Sequence, residues 1–299
     1  MTKFFILVLN WNRKEETFEC LKSLEKVIVP SEIDLQILVI DNASTDGSQE
    51  FFREKNIPYL ENRENFGFAE GNNSGFRFAL KNGADYVMIL NNDTYVDKNL
   101  ITEIIKPFED KEVGAVSPLI YFAKGFEFHR DRYKKSELGK VIWSAGGSID
   151  WNNVFGINNK VDEVDTGKLK KKEIEFATGA CVVYSREALK KAGLFEGKYF
   201  LYFEDVELST RIRKKGFKII FNPKAKIWHK VSQSSGIGSG LNDYFIARNR
   251  LLFGMKYASI RTKFALFREG LKLLFTGRPW QRVGVYDYFI SNFWKGSWK

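Results

Sequence analysis

Cysteine, histidine and long apolar runs are the scarce features of this 299-residue chain. Its two cysteines, Cys20 and Cys181, lie far apart with no C-x-x-C spacing. They give no disulfide framework and suit a reducing compartment. The two histidines, His129 and His229, restrict any imidazole ligation to those positions. No stretch approaches the roughly 18 apolar residues of a membrane span. The N-terminal run Phe4-Phe-Ile-Leu-Val-Leu9 ends in Asn10-Trp-Asn-Arg13 and lacks a small-residue cleavage site, so it reads as a buried strand and not a signal peptide. No internal repeat or low-complexity linker is visible.

What is present is a core and a charge. Hydrophobic residues make up 44% of the chain, which suits a globular protein. Lys and Arg number 47 against 37 Asp and Glu, a formal net charge of +10. An excess of that sign points to an anionic partner: nucleic acid, an anionic membrane surface or a phosphorylated substrate.

Short apolar runs alternate with helical patterns. Strands are expected at 4–9, 35–40, 57–60, 85–90 and 113–120. Helices are expected at 14–26, 46–55, 67–81 and 100–108, with Asp46 as an N-cap. That alternation implies βαβ units, an α/β fold and a mostly parallel sheet. Residues 122–140 and 154–172 read as surface loops, with strand and turn between them at 141–149. Strand character resumes at 173–184, broken by Thr178-Gly-Ala180. A short helix at 187–192, a helix at 204–215 and short strands at 217–221 and 225–228 follow. From about 241 the pattern is helical, aromatic and basic, so the chain divides into 1–240 and a C-terminal helical region, 241–299.

Three of the strands run into polar clusters: Asn10 to Asn12, Asp41 to Asp46, and Asn91-Asn92-Asp93. In a parallel sheet these share one edge, where α/β proteins bind ligands. Asp93 is placed to hold a hard divalent cation, with substrate phosphates supplying the remaining oxygens. His229 is a second candidate, since imidazole tolerates Mn²⁺. Asp41 is suited to accept hydrogen bonds from a nucleobase and a ribose, although Asp, Asn, Ser and Gly are also turn residues. In Asn65-Phe-Gly-Phe-Ala-Glu-Gly-Asn-Asn73 the glycines permit close backbone approach. In Tyr202-Phe-Glu-Asp-Val-Glu207, three acids open a helix behind two aromatics. A cap explains one acid, and partial desolvation would raise another toward a general base.

In this order and spacing the motifs resemble family-2 glycosyltransferases of the GT-A fold, in a rhamnosyltransferase-like branch. The likeness spans about residues 4–253. It is carried by Leu9-Asn-Trp-Asn12, Val39-Ile-Asp-Asn-Ala-Ser-Thr-Asp-Gly-Ser48, Asn65 to Asn73, Leu90-Asn-Asn-Asp-Thr94, Thr178-Gly-Ala180, Phe203-Glu-Asp-Val-Glu207 and Tyr244-Phe-Ile-Ala-Arg-Asn-Arg250. The resemblance implies inverting transfer of a sugar, rhamnose among the candidates, from a nucleotide-diphospho-sugar to a glycan or lipid-linked acceptor in cell-surface glycan synthesis. It makes Asp205 the catalytic base, and Asp93 with His229 the holders of a divalent cation, Mn or Mg. Leu9, Asn10, Asn12, Asp41, Asn65, Gly67, Asn72, Asn91, Asn92 and Arg248 fall on the donor side, with Arg248 toward the diphosphate. Thr178, Gly179 and Glu204 fall on the acceptor side. Asn91 stands where the family's D-x-D motif has its first acid.

A sugar nucleotidyltransferase of related fold would need a Gly-rich, Arg- and Lys-bearing loop after the first strand, which Leu9 to Arg13 lacks. A non-catalytic glycan- or nucleic-acid-binding protein would not need acids at so many strand and helix ends, so no nucleic acid is expected as partner. In the C-terminal region, apolar residues such as Phe264, Phe267, Leu271 and Phe275 interleave with Arg261, Lys263, Arg268 and Lys272. Such helices serve either a membrane surface or a packing contact, including a homodimer. The expected location is cytoplasmic, with the inner face of the plasma membrane as the peripheral alternative.

Overall fold

The structure, a computed structural model, describes residues 1–231 and 239–298. The strands are β1 (Thr2–Asn10), β2 (Ile33–Asp41), β3 (Tyr59–Glu61), β4 (Tyr86–Asn91), β5 (Thr94–Val96), β6 (Val113–Phe122), β7 (Ile142–Ser144), β8 (Gly147–Asp150), β9 (Phe155–Asn158), β10 (Lys172–Glu173), β11 (Cys181–Ser185) and β12 (Lys218–His229). The helices are α1 (Lys14–Leu24), α2 (Ser48–Glu54), α3 (Gly67–Lys81), α4 (Leu100–Ile105), α5 (Arg186–Ala192), α6 (Glu204–Lys214), α7 (Gly240–Tyr257), α8 (Ile260–Thr276) and α9 (Pro279–Phe289).

A single mixed sheet carries the order β10-β12-β6-β11-β4-β1-β2-β3, with β5 on β12 and β7 on β6. The run β4-β1-β2-β3 is parallel, while β11 enters antiparallel between β4 and β6. Phe4 to Val8 are buried on both faces, as a central strand under two helical layers demands. Phe4, Ile6 and Val8 pack with Cys20, Leu24, Phe52 and Ile101 from α1, α2 and α4. Phe5 and Leu7 face the opposite core with Phe76, Leu189 and Ile212 from α3, α5 and α6.

Three local readings change. The segment 154–172 is not all loop, because β9 folds back on β8 as a two-stranded hairpin. Its residues Phe155, Gly156 and Ile157 are exposed, so no core-facing alternation marks them as strand. The strands expected at 217–221 and 225–228 are one, β12, which shifts register on β6 between Asn222 and Lys226. Pro223 lies in that gap and has no N–H to give a ladder. Asp46 is not the N-cap of α2, a position held by Gly47; its carboxylate instead accepts the Ser48 N–H.

The three C-terminal helices share a core with the sheet domain: Leu251, Phe253, Leu266 and Val285 pack with Ile149, Val154, Phe176, Phe203 and Val206. α7 and α9 approach so closely that a Cβ on Gly284 would lie 2.3 Å from the Tyr244 carbonyl oxygen. Gly284→Ala is therefore expected to cost about 1–3 kcal/mol through backbone displacement. Urea unfolding reads this directly, and an unchanged midpoint would show that α9 yields freely. No described helix is long and apolar enough to cross a membrane.

Candidate active site

β1, β2 and β4 stop side by side, with Asn10 paired to Asp41 and Leu9 to Asn91 in register. Their ends form the expected polar edge. Asn10 is fully buried, and its amide donates to Asp41 Oδ1 at 2.8 Å and to Ser44 and Ser48 hydroxyls at 3.0 Å. Asp41, also fully buried, accepts on Oδ2 from the Ser44 N–H and the Gln49 amide. Asn12 accepts the Thr45 N–H at 2.6 Å and Asn92 donates to Thr17. The Asp41 loop is thus clamped to the end of β1 by hydrogen bonds that leave its carboxylate little freedom.

A second network centres on Asn42. Its amide donates to Asn65 Oδ1 and to the Gly67 carbonyl, and its oxygen accepts from Asn62 and the Phe66 N–H. The Phe68 and Ala69 N–H groups at the start of α3 donate to the Phe200 carbonyl. Gly67 has φ +73°, and a Cβ there would come within 2.5 Å of the Phe200 ring. Gly67 therefore allows α3 and the Phe200 segment to close together. Asn72 is buried, with its amide on the Phe68 carbonyl. Leu9 is partly buried against the core of Leu7, Ile40 and Ala69.

Beside this edge lies a cavity of ≈ 400 Å³, a size ordinary for small-molecule sites. Asn91, Asp93, Thr178, Gly179, Glu204, Asp205 and His229 all reach it. β5 pairs antiparallel with the end of β12, with Thr94 opposite His229, and this register brings His229 Nε2 to 2.9 Å from Asp93 Oδ1. The imidazole is wedged edge-to-face against Trp143, ring centroids 4.7 Å apart.

Asp205 accepts the Gly179 N–H on Oδ2 and the Val206 N–H on Oδ1. Burial pushes its carboxyl above the usual Asp range, against the pull of those backbone donors. Glu204 is 5% exposed, and its Oε2 meets no hydrogen-bond partner among the described residues. Burial, and then the adjacent Asp205 charge, raise it well above an ordinary Glu. Neighbouring carboxyls that differ in this way divide roles. Of the two, Asp205 has the N–H donors that stabilise a charged form, so ionisation is favoured there over Glu204.

The backbone feeding this pair is unusual. Phe200, Tyr202 and Phe203 all have positive φ, at 59°, 67° and 72°. Such non-glycine conformations persist only where surroundings enforce them. Arg248 and Asn249 do the enforcing. Arg248 is fully buried, donates to the Lys198 and Tyr199 carbonyls, and lies over the Tyr244 and Phe245 rings. Asn249 donates to the carbonyls of Tyr199, Leu201 and Tyr202. Arg248 was expected toward the diphosphate; it has these partners instead and does not line the cavity.

Six aromatic residues, Phe68, Trp143, Phe155, Phe176, Tyr202 and Phe203, also line the cavity, with Leu201, Val206 and Ile246 among the aliphatic neighbours. Trp143 lies in the stretch expected as strand and turn, and Phe155 in one expected as loop. Neither pattern shows that these rings face a cavity.

Residues 5–193 match the family described as glycosyl transferase family 2. The chain is 24% identical over 224 residues to an N-acetylglucosaminyl-diphospho-decaprenol L-rhamnosyltransferase of Mycobacterium tuberculosis, covering 71% of this chain and 72% of that one. It is 20% identical over 215 residues to a low-salt glycan biosynthesis hexosyltransferase of Haloferax volcanii, covering 72% of this chain but only 62% of the relative. Among solved structures, a mannosyltransferase from Pyrobaculum calidifontis in complex with GDP-Man and Mn²⁺ superposes with TM-score 0.57 at 18% identity, over 96% of this chain and 74% of that one. GalNAc-T7 with UDP, GalNAc and Mn²⁺ gives TM-score 0.60 at 17% identity, over 98% and 58%. These two likenesses are of fold. The family match spans well over half of the sequence, and the chain belongs to glycosyl transferase family 2, on a GT-A fold.

Proposed function

We propose that this chain transfers a hexosyl group, rhamnosyl among the candidates, with inversion from a nucleotide-diphospho-sugar to a hydroxyl of a glycan or lipid-linked acceptor in cell-surface glycan synthesis. The observation that carries the reading is one cavity lined both by the Glu204–Asp205 pair and by Asp93 with His229. The ionised Asp205 takes the proton of the acceptor hydroxyl as its oxygen attacks the anomeric carbon. Glu204, whose burial favours the neutral form, offers an O–H donor beside it. The Gly179 N–H fixes the Asp205 carboxylate, and the aromatic residues present an apolar face to the sugars.

The donor set fits a divalent cation, Mn²⁺ or Mg²⁺. Asp93 and His229 are the residues that would hold it, and the described residues gather no third His, Cys, Asp or Glu with them. Donor oxygens and water would have to supply its remaining ligands. When bound, the cation neutralises charge on the departing nucleoside diphosphate. The relative named as an L-rhamnosyltransferase and the fold neighbour solved with Mn²⁺ support these choices.

A thermal-shift panel of nucleotide-sugars, read with Mn²⁺, Mg²⁺ or EDTA, tests the reading alongside nucleoside diphosphate release. The matching donor at ~100 times its Kd is expected to stabilise the chain by about 2.7 kcal/mol. Asp93→Ala should remove most of the metal-dependent part. Equal donor affinity with and without EDTA in the unsubstituted protein would remove the cation from the mechanism.

A further inference from the structure

α8 packs inward through Thr262, Leu266 and Gly270, all buried. Its opposite side carries Ile260, Phe264, Phe267, Leu271 and Phe275, each 42–79% exposed. At 3.6 residues per turn these five fall within an arc of roughly 80°. Arg261, Arg268 and Lys272 lie along one flank of that arc and Lys263 along the other. None of these four cations makes an ion pair among the described residues, and the helix's single acid, Glu269, is taken by Arg250. The helix thus presents an apolar ridge edged with uncompensated positive charge.

We propose that this outer face of α8 seats the protein on an anionic lipid bilayer, the ridge entering the headgroup boundary and the flanking cations meeting lipid phosphates. The dimensions fit an interfacial helix, which lies in the membrane plane and does not span it. The charge argues against a second copy of the chain. A twofold contact sets the same face against itself, which would bring four cations against four with no free acid on α8 to balance them. A nucleic acid backbone would use the cations but would leave five large apolar side chains in water. The proposal is independent of the transfer reading, since it rests on residues outside the cavity.

The test is flotation of the full chain with vesicles of phosphatidylcholine alone or mixed equally with phosphatidylglycerol, comparing it with the F264S/F275S variant. Both substituted side chains are more than 70% exposed, so the fold should tolerate the change. The unsubstituted chain is expected to float with the anionic vesicles, less so at high salt. The variant should partition on the order of a hundredfold more weakly. Equal flotation of the two proteins, or none with either vesicle, overturns the proposal. So does a dimer in sedimentation that the variant converts to monomer without any vesicle binding.

Discussion

Asp205→Asn is expected to reduce sugar transfer by on the order of 10³-fold, the usual contribution of a general base, and to leave nucleotide-sugar binding within a few-fold of normal. The asymmetry follows from what the side chain touches. Its two oxygens accept the Gly179 and Val206 N–H groups, and Asn replaces one of these acceptors with an NH₂ that cannot accept. The loop is therefore weakened slightly, while the proton acceptor is lost outright. Burial holds the Asp205 carboxyl above the ordinary Asp range, so the active, ionised form appears only as pH rises through that displaced value. The rate should climb with pH across that interval in the unsubstituted enzyme and show no such limb in the variant. Glu204→Gln preserves a neutral donor at the neighbouring position and should lose far less. Steady-state rates over a pH series, with donor affinity measured by calorimetry, separate these outcomes. A binding defect equal to the rate defect would make Asp205 a structural residue. A larger loss from Glu204→Gln than from Asp205→Asn would exchange their roles.

The sheet was legible because its strands are buried on both faces. Runs such as Phe4 to Leu9 and Tyr86 to Leu90 leave no other reading once helical patterns separate them. The shared edge was legible for the same reason, since parallel strands ending in Asn10, Asp41 and Asn91 must end together. What could not be read was anything depending on register between distant segments. The closeness of Asp93 and His229 requires β5 to pair with the far end of β12, a contact 136 residues apart in sequence with no local signal. The Arg248-Asn249 pair was visible as a motif, but whether a guanidinium meets phosphate or carbonyl groups is decided by how α7 docks. The hairpin of β8 and β9 was missed because its second strand faces solvent and the cavity, not the core.

The third acid of Glu204-Asp205-Val206-Glu207 belongs to the fold, and Glu207→Ala should lower stability by about 3 kcal/mol, the scale of breaking a buried ion pair. Glu207 is fully buried. Oε2 meets the Arg211 guanidinium at 2.7 Å, and Oε1 accepts from Tyr257 at 2.6 Å and Lys256 at 2.9 Å. Arg211 continues to the Ala192 and Leu194 carbonyls, so one carboxylate joins α6, the end of α5 and the end of α7. Lys256 is half exposed and adds little on its own; the cost comes from leaving Arg211 and Tyr257 without their acceptor. Burial alone would raise the Glu207 carboxyl, but the Arg211 hydrogen bond and charge, with Tyr257 and Lys256, hold it below its ordinary value. A depressed acid contributes stability that is complete above its unfolded value near 4.5 and disappears as pH falls through the folded one. Glu204 and Asp205 act with the opposite sign, because their ionised forms are costly in the native state and protonation relieves that cost. Urea unfolding at neutral pH and at successively lower pH should show the Glu207→Ala deficit shrinking on the acid side by its charge-dependent part, the lost packing remaining. A Glu207→Gln variant that unfolds like the unsubstituted protein yet transfers no sugar would move this residue from the scaffold into the chemistry.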